Sequence, residues 1–155
     1  ADAAQPTRLR PVVERLVASL QRTPAGERLT WNIDVPDGLC VAADKEDLIE
    51  LLGNLLDNAC KWANSAVRIA AVPLGAKVSI RISDDGKGVP DDALASLAGR
   101  GVRLDQTVPG TGLGLAITRD IATALGGGLN LANRPGGGFT ATVDLFMQPK
   151  SQRHA

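Results

Sequence analysis

Apolar and polar positions along the chain follow two different periods. From residue 48 to residue 59 the apolar ones recur every three or four residues, and Leu48, Leu51, Leu52, Leu55, Leu56 and Ala59 fall on one stripe. That spacing predicts an amphipathic helix with one face on a core. Asp44 stands where an N-cap belongs and Asp47 follows three residues later, a carboxylate version of the capping box. Val12, Leu16 and Leu20 predict an earlier helix over residues 11–21, followed by a break at Pro24-Ala25-Gly26. Residues 113–125 predict a third helix, stopped by Gly126. Elsewhere the period is two. Residues 29–33 read as a half-buried strand, and residues 39–42, after the Pro36-Asp37-Gly38 turn, as a short one. Residues 67–72 and 77–83 predict an antiparallel hairpin across Leu74-Gly75, and residues 129–132 and 139–146 two last strands around a glycine-rich turn. A short helix is expected after Pro90, and residues 99–112, which show no period, read as a mobile loop. The expected organisation is a frayed lead-in over residues 1–9, one domain over 10–147 and a disordered tail over 148–155. Mixed elements with antiparallel hairpins and no internal repeat predict an α+β fold: a two-layer sandwich whose mixed, mostly antiparallel sheet is covered on one face by helices.

Composition narrows the class. With 44% hydrophobic and 22% charged residues, the 155-residue chain can pack a core, and aromatics at 3% leave that core to Ala, Val, Leu and Ile. The 17 basic and 17 acidic side chains cancel, so no general electrostatic footprint for nucleic acid or an anionic membrane exists. Any phosphate chemistry must come from local placement of charge. Cys40, Cys60 and the single His154 cannot form a disulfide framework or a Cys/His zinc site, and they suit a reducing cytoplasm. No apolar run approaches the ~20 residues that span a bilayer, and no signal peptide opens the sequence, so a soluble piece without membrane insertion is expected.

Three places could carry chemistry. On the polar side of the helix that begins at Asp44, Asn54, Asn58 and Lys61 fall within about 60° of one another at about 100° per residue. Amide oxygens can ligate Mg²⁺ beside substrate phosphates, and a lysine one turn on can neutralise a phosphate. A solvated helix face is the competing reading, although asparagine is a mediocre helix former to find twice in mid-helix. The second place is Ser83-Asp84-Asp85-Gly86-Lys87-Gly88 at a strand end. A carboxylate there can accept from an exocyclic amine, and the glycines let a flat ring approach; an ordinary Asp-Gly turn explains the same residues. The third is Gly110-Thr111-Gly112-Leu113-Gly114-Leu115 at a helix start, where backbone N–H groups and the helix dipole suit phosphates. It is no Walker A loop, since no Gly-Lys-Ser/Thr follows, and it lacks both the spacing and the preceding strand of a dinucleotide fingerprint.

In that order the three segments resemble the GHKL superfamily of ATPases and kinases, and within it the catalytic domain of bacterial sensor histidine kinases. The stretch from Asn54 to Lys61 resembles the N box, Asp84 to Gly88 the G1 box, and Gly110 to Leu115 the G2 box. The Arg100-Gly101-Val102-Arg103-Leu104-Asp105 run and the aromatic after Lys61 look most like the PhoQ-type kinases. The resemblance covers about residues 10–146. It implies that Asp84 holds the adenine amino group, with Gly86 and Gly88 allowing close approach. It further implies that Asn58 and Asn54 ligate Mg²⁺, that Lys61 meets the phosphates, and that Trp62 borders the nucleotide where many relatives carry Tyr. Residues 98–112 would form an ATP lid, with Arg100, Gly101, Arg103, Gly110 and Thr111 near the phosphates and the amides of Gly112, Leu113, Gly114 and Leu115 cradling them.

The implied activity is transfer of the γ-phosphoryl group of Mg-ATP to a histidine on a dimerisation domain of the same kinase, with a response regulator downstream, in the cytoplasm. Hydrolysing branches carry a glutamate at the place of Asn54 to activate water, and an amide cannot take that proton. Two departures stand out. The acceptor histidine and its helix pair have no counterpart here, and Leu97-Ala98-Gly99 replaces the phenylalanine that usually precedes the lid arginine. A nucleotide-gated interaction module and an anti-sigma-type protein-serine kinase remain as alternatives. The rest reads blandly: Cys40 and Cys60 as core fillers, Trp31 as strand packing, Glu50, Asp57 and Asp85 as solvated, Arg119 and Asp120 as helix-surface charges, and both triple-glycine runs as turns.

Overall fold

The computed structural model describes residues 6–90 and 112–148. Along the chain these form β1 (Thr7–Arg8), α1 (Leu9–Gln21), α2 (Pro24–Glu27), β2 (Thr30–Asp34), β3 (Cys40–Val41), α3 (Lys45–Trp62), β4 (Ala66–Leu74), β5 (Lys77–Asp84), α4 (Gly112–Ala124), β6 (Gly128–Asn133) and β7 (Phe139–Phe146). Five strands make one sheet in the order β2-β4-β5-β7-β6. β2 runs parallel to β4 and every other neighbouring pair is antiparallel, which is the mixed, mostly antiparallel sheet that the sequence predicts. β1 and β3 form a separate two-stranded ribbon.

Alternation decides which face is covered. Val67, Ile69 and Ala71 of β4, Val78, Ile80 and Ile82 of β5, and Ala141, Val143 and Leu145 of β7 all point inward and are buried. The α3 stripe lies in the same core, with Leu48, Leu51, Leu52 and Leu56 wholly inaccessible. Each such leucine contributes about 1.5–3 kcal/mol of burial, so the helix is held by packing rather than by propensity. α1 adds Leu9, Val12, Val13 and Val17 to that layer.

The local signals act as their chemistry predicts, with three differences. In the β4–β5 connection Gly75 takes φ +61° and Ala76 keeps a negative φ, as a two-residue hairpin with glycine first requires. Gly126 ends α4 at φ +81°, and the bonds Gly126 N–H to Thr123 O and Gly127 N–H to Ala122 O complete a Schellman pair. The first difference is at Asp44, which occupies the N-cap position without a side-chain capping bond. Its carboxylate, with Glu46 and Asp47, favours the helix start through the dipole instead. The second is at Pro24-Ala25-Gly26, which is not a plain break but one helical turn, because Thr23 Oγ1 accepts from Gly26 N–H and Pro24 suits the first position. The third concerns residues 7–9 of the expected frayed lead-in. Thr7 and Arg8 pair with Val41 and Cys40, and Leu9 is fully buried, so these residues are fastened to the domain.

The short helix expected after Pro90 and the loop over residues 99–112 fall outside the described residues, apart from Gly112. No helix among the described residues is long and apolar enough to cross a membrane.

Candidate functional site

A cleft opens between the C-terminal half of α3 and the ends of β5 and β7. Leu55, Asn58, Ala59 and Trp62 form its helix wall, Ile82 and Asp84 come from β5, and Val89 follows that strand. Leu115 of α4 and Phe139 and Ala141 of β7 close it. The empty space in and around the cleft is about 380 Å³, open solvent at its mouth included. Beside it lies a wide, open groove bordered by Lys61, Trp62, Ala63, Asn64, Asp85, Gly86, Lys87 and Gly88. Trp62 borders both.

Two polar groups stand out in the apolar cleft. Asp84 ends β5 and is only 2% exposed. Removal from water pushes its carboxyl above the ordinary carboxylate value, and the backbone N–H groups of Gly86 and Phe139 offset this only in part. Its Oδ1 accepts from Gly86 N–H at 2.8 Å. Asn58 is the other. Its Nδ2 is buried and has no hydrogen-bond partner among the described residues. An amide left so is costly for a fold, and a half-turn of the side chain brings Oδ1 to the same point.

The predicted site residues separate into groups. Asn58, Trp62, Asp84 and Leu115 meet in the cleft, while Lys61, Gly86 and Gly88 border the groove. Lys61 forms an ion pair with Asp57 at 3.1 Å, both side chains half exposed. Asn54 sits one turn before Asn58 on α3 but lines neither space. Gly112, Leu113 and Gly114 open α4 at the cleft. Arg100, Gly101, Arg103, Gly110 and Thr111 lie outside the described residues, as do His154 and Leu97-Ala98-Gly99.

The G1 glycines answer to the protein's own backbone. A Cβ on Gly86 would stand 1.9 Å from the Trp62 carbonyl oxygen, so the loop packs directly on the end of α3. Gly88 has φ +77°, and a Cβ there would meet Asn133 Oδ1 at 2.6 Å.

Asp85 needs correction. It was expected to be solvated, but its Oδ1 accepts from the backbone N–H groups of Asn64 and Ser65 at 2.9 Å and of Ala66 at 3.0 Å, and its Oδ2 from Ser65 Oγ. Bonds from Ser65, Ala66 and Asn64 hold its carboxyl far below the ordinary range, against a desolvation cost that acts the other way. The reason is backbone shape: three successive N–H groups converge as the chain leaves α3 for β4, and an anion fits them.

Sequence reasoning also missed the far wall. Asn133 donates its Nδ2 to Val89 O at 2.7 Å and accepts from Val89 N–H at 2.9 Å, so its amide ties β6 to the loop after Gly88. Arg134 Nη1 donates to the Asp84 carbonyl at 2.9 Å. Gly138 presses on that carbonyl, where a Cβ would come within 2.1 Å. The triple glycine at 136–138 is therefore both a turn and part of the Asp84 support. The run of three glycines, which takes φ values from +85° to +119°, is the one signal in the sequence that could have pointed there.

Among the described residues the site offers an apolar slot with one buried acceptor and one unpartnered amide, with the cationic side chains of Lys61 and Lys87 in the groove beside it. Residues 43–149 match the family model described as histidine kinase-, DNA gyrase B- and HSP90-like ATPase. The sensor protein kinase CarS of Pseudomonas aeruginosa is 48% identical over 84% of this chain and 29% of its own length. The virulence sensor histidine kinase PhoQ of Salmonella typhimurium is 29% identical over 92% of this chain, again 29% of its own length. The chain thus spans less than a third of either relative. Among solved structures, full-length ShkA in complex with AMPPNP superposes on 96% of this chain and 32% of its own, with 27% identity and a TM-score of 0.73.

Proposed function

The chain belongs to the family of histidine kinase-, DNA gyrase B- and HSP90-like ATPases, and from that membership we propose that it is the ATP-binding catalytic domain of a sensor histidine kinase. The observation that carries this reading is the buried Asp84 carboxylate in an apolar slot beside the unpartnered Asn58 amide. A purine fits such a slot because its faces are apolar and its exocyclic amine can donate to a carboxylate. The triphosphate then leaves by the mouth, toward Lys61 and the start of α4, where backbone N–H groups and the helix dipole favour anions.

Asn58, and Asn54 one turn before it, are the groups that would hold Mg²⁺. The donor set suits it, being neutral amide oxygen with room for water and phosphate ligands. Magnesium, when bound, neutralises phosphate charge during transfer. Trp62 borders the base, and Arg100, Gly101, Arg103, Gly110 and Thr111 take the lid roles expected of them, with the amides of Gly112 to Leu115 on the phosphates. The acceptor is a histidine on a dimerisation domain of the same kinase, with a response regulator downstream and a cytoplasmic setting. The nucleotide-binding unit is the domain expected over residues 10–147, with residues 7–9 fastened to it.

Transfer rather than hydrolysis follows from Asn54, since an amide there cannot deprotonate water. The curated relatives, both named as sensor kinases, support that choice. The test is calorimetric titration with AMPPNP, with and without Mg²⁺, on the native chain and on Asp84→Asn. Magnesium-dependent binding that the substitution abolishes is the expected result. A folded native chain that binds no nucleotide overturns the reading.

A further inference from the structure

The connection from α3 to β4 is only three residues long, Ala63-Asn64-Ser65, and its backbone polar groups are gripped from two sides. On one side the Asp85 carboxylate takes the N–H groups of Asn64, Ser65 and Ala66. On the other, Arg28 donates Nη2 to the Ala63 carbonyl at 2.9 Å and Nη1 to the Asn64 carbonyl at 2.7 Å. An anion thus sits on the donors and a cation on the acceptors. The Ser65 carbonyl is taken as well, by Thr30 N–H at 2.8 Å. So much fixed charge on a short exposed connection exceeds what a helix end needs, and its location suggests why. Asp85 is one peptide from Asp84, and Ala63 is one peptide from Trp62. Between them Gly86 lies so close to the Trp62 carbonyl that no Cβ fits.

We propose that Arg28 and Asp85 are positioning residues for the nucleotide site, clamping the α3–β4 connection so that Trp62 and Asn58 keep a fixed separation from Asp84. This rests on the adenine-nucleotide reading given above. Neither residue is assigned a contact with ligand. Each acts through the backbone of residues 63–66, and a slot whose walls shift by a fraction of an ångström loses complementarity to a rigid planar ligand.

The experiment titrates ADP without Mg²⁺, and AMPPNP with it, into the native chain and into Asp85→Ala, Asp85→Asn, Arg28→Met and Asp84→Asn, at a temperature where circular dichroism shows each folded. Asp85→Ala should weaken both ligands by about tenfold, because the clamp sets the separation of Trp62 from Asp84, and both ligands carry the base held between them. Asp85→Asn should recover most of that, since all three backbone bonds go to the single Oδ1, which an amide oxygen reproduces. A cap that merely stabilised the fold would lower the melting temperature without this ligand-independent loss or its rescue. Arg28→Met, the milder change, should weaken both ligands by about threefold, and it carries the test if Asp85→Ala does not fold. Native affinity in a folded Asp85→Ala or Arg28→Met, with binding lost in Asp84→Asn, overturns the clamp and leaves the nucleotide reading standing. No binding by the native chain overturns both.

Discussion

Replacing Asn58 by leucine should make the ligand-free domain more stable while it removes magnesium-dependent nucleotide binding. The buried Nδ2 has no partner among the described residues. An unsatisfied buried donor costs about 1–3 kcal/mol, and asparagine in a helix interior costs a few tenths more than leucine. Asn58 as a whole is only half-buried, so its other end keeps some solvation, and the lower part of that range applies. Leucine at that position would share the helix wall with Leu55 and Ala59 and line the same cleft as Ile82 and Leu115, an apolar set that accepts it. The expected gain is about 1–2 kcal/mol, or about 3–6 °C in melting temperature for a chain of this size. Thermal denaturation followed by circular dichroism reads the first effect, and AMPPNP titration with and without Mg²⁺ the second. A melting temperature equal to or below the native value would refute the reasoning, because the amide would then be satisfied in the empty site and no stability would be held back there for a ligand.

Four further substitutions follow, three of them at consecutive residues of the site. Asp84 and Asp85 should respond to pH with opposite signs. The folded-state value of Asp84 is raised above its ordinary 3.8, so its favourable contribution is complete below that pH and is lost as pH rises through the raised value. At neutral pH the ionised group is a net cost, and Asp84→Asn should raise the denaturation midpoint. Asp85 is depressed, so its contribution is complete above 3.8 and is lost as pH falls below it. Asp85→Asn should therefore lower the midpoint at neutral pH and flatten its fall in acid. Urea midpoints between about pH 3 and pH 7 check both, and parallel curves for the two variants would contradict the assignment. Gly86→Ala should cost about 1–3 kcal/mol and weaken nucleotide binding, since its Cβ would strike the Trp62 carbonyl. Gly75→Ala meets nothing within 4 Å and should cost about 1 kcal/mol through its left-handed φ alone, with binding intact.

The parts of this fold that were legible in the sequence are those governed by period. The β4–β5 hairpin and the last two strands need only alternation and a glycine to be placed and fall within a residue or two of their predicted spans, and the stripe over residues 48–59 lies inside α3. The N-box and G1 polar residues were legible for another reason. Each has an ordinary explanation alone, a solvated helix face or an Asp-Gly turn, and it is their ordered combination with the third segment that resembles a known family. What stayed hidden depends on distant contacts. Nothing near Thr7 or Arg8 announces the partners Val41 and Cys40, and Asn133 reads as any turn residue until Val89 is opposite it. Asp85 misled because a carboxylate beside Gly looks solvated, whereas its ligands are backbone N–H groups that have no sequence signature.

The adjacent carboxylates show how the site divides its work. Asp84 is held uncomfortably, buried and with its pKa raised, by a shell that includes Gly86, Gly138 and Arg134. Asp85 is held comfortably, on three backbone N–H groups and a hydroxyl. On the reading proposed above, Asp84 keeps acceptor capacity beyond its bonds from Gly86 and Phe139, and a ligand donor there would offset the cost of its burial. Stability must then come from nearby groups that bind nothing. The Asp-Asp pair at the end of β5 places the two demands on consecutive residues, and the strand's alternation sends one side chain into the cleft and leaves the other on the α3–β4 connection. A single-residue slip of β5 against β4 and β7 would exchange them, exposing the acceptor and burying the clamp. On that reading, the register that sets Val67 against Asp84 matters to nucleotide binding as much as the aspartate itself.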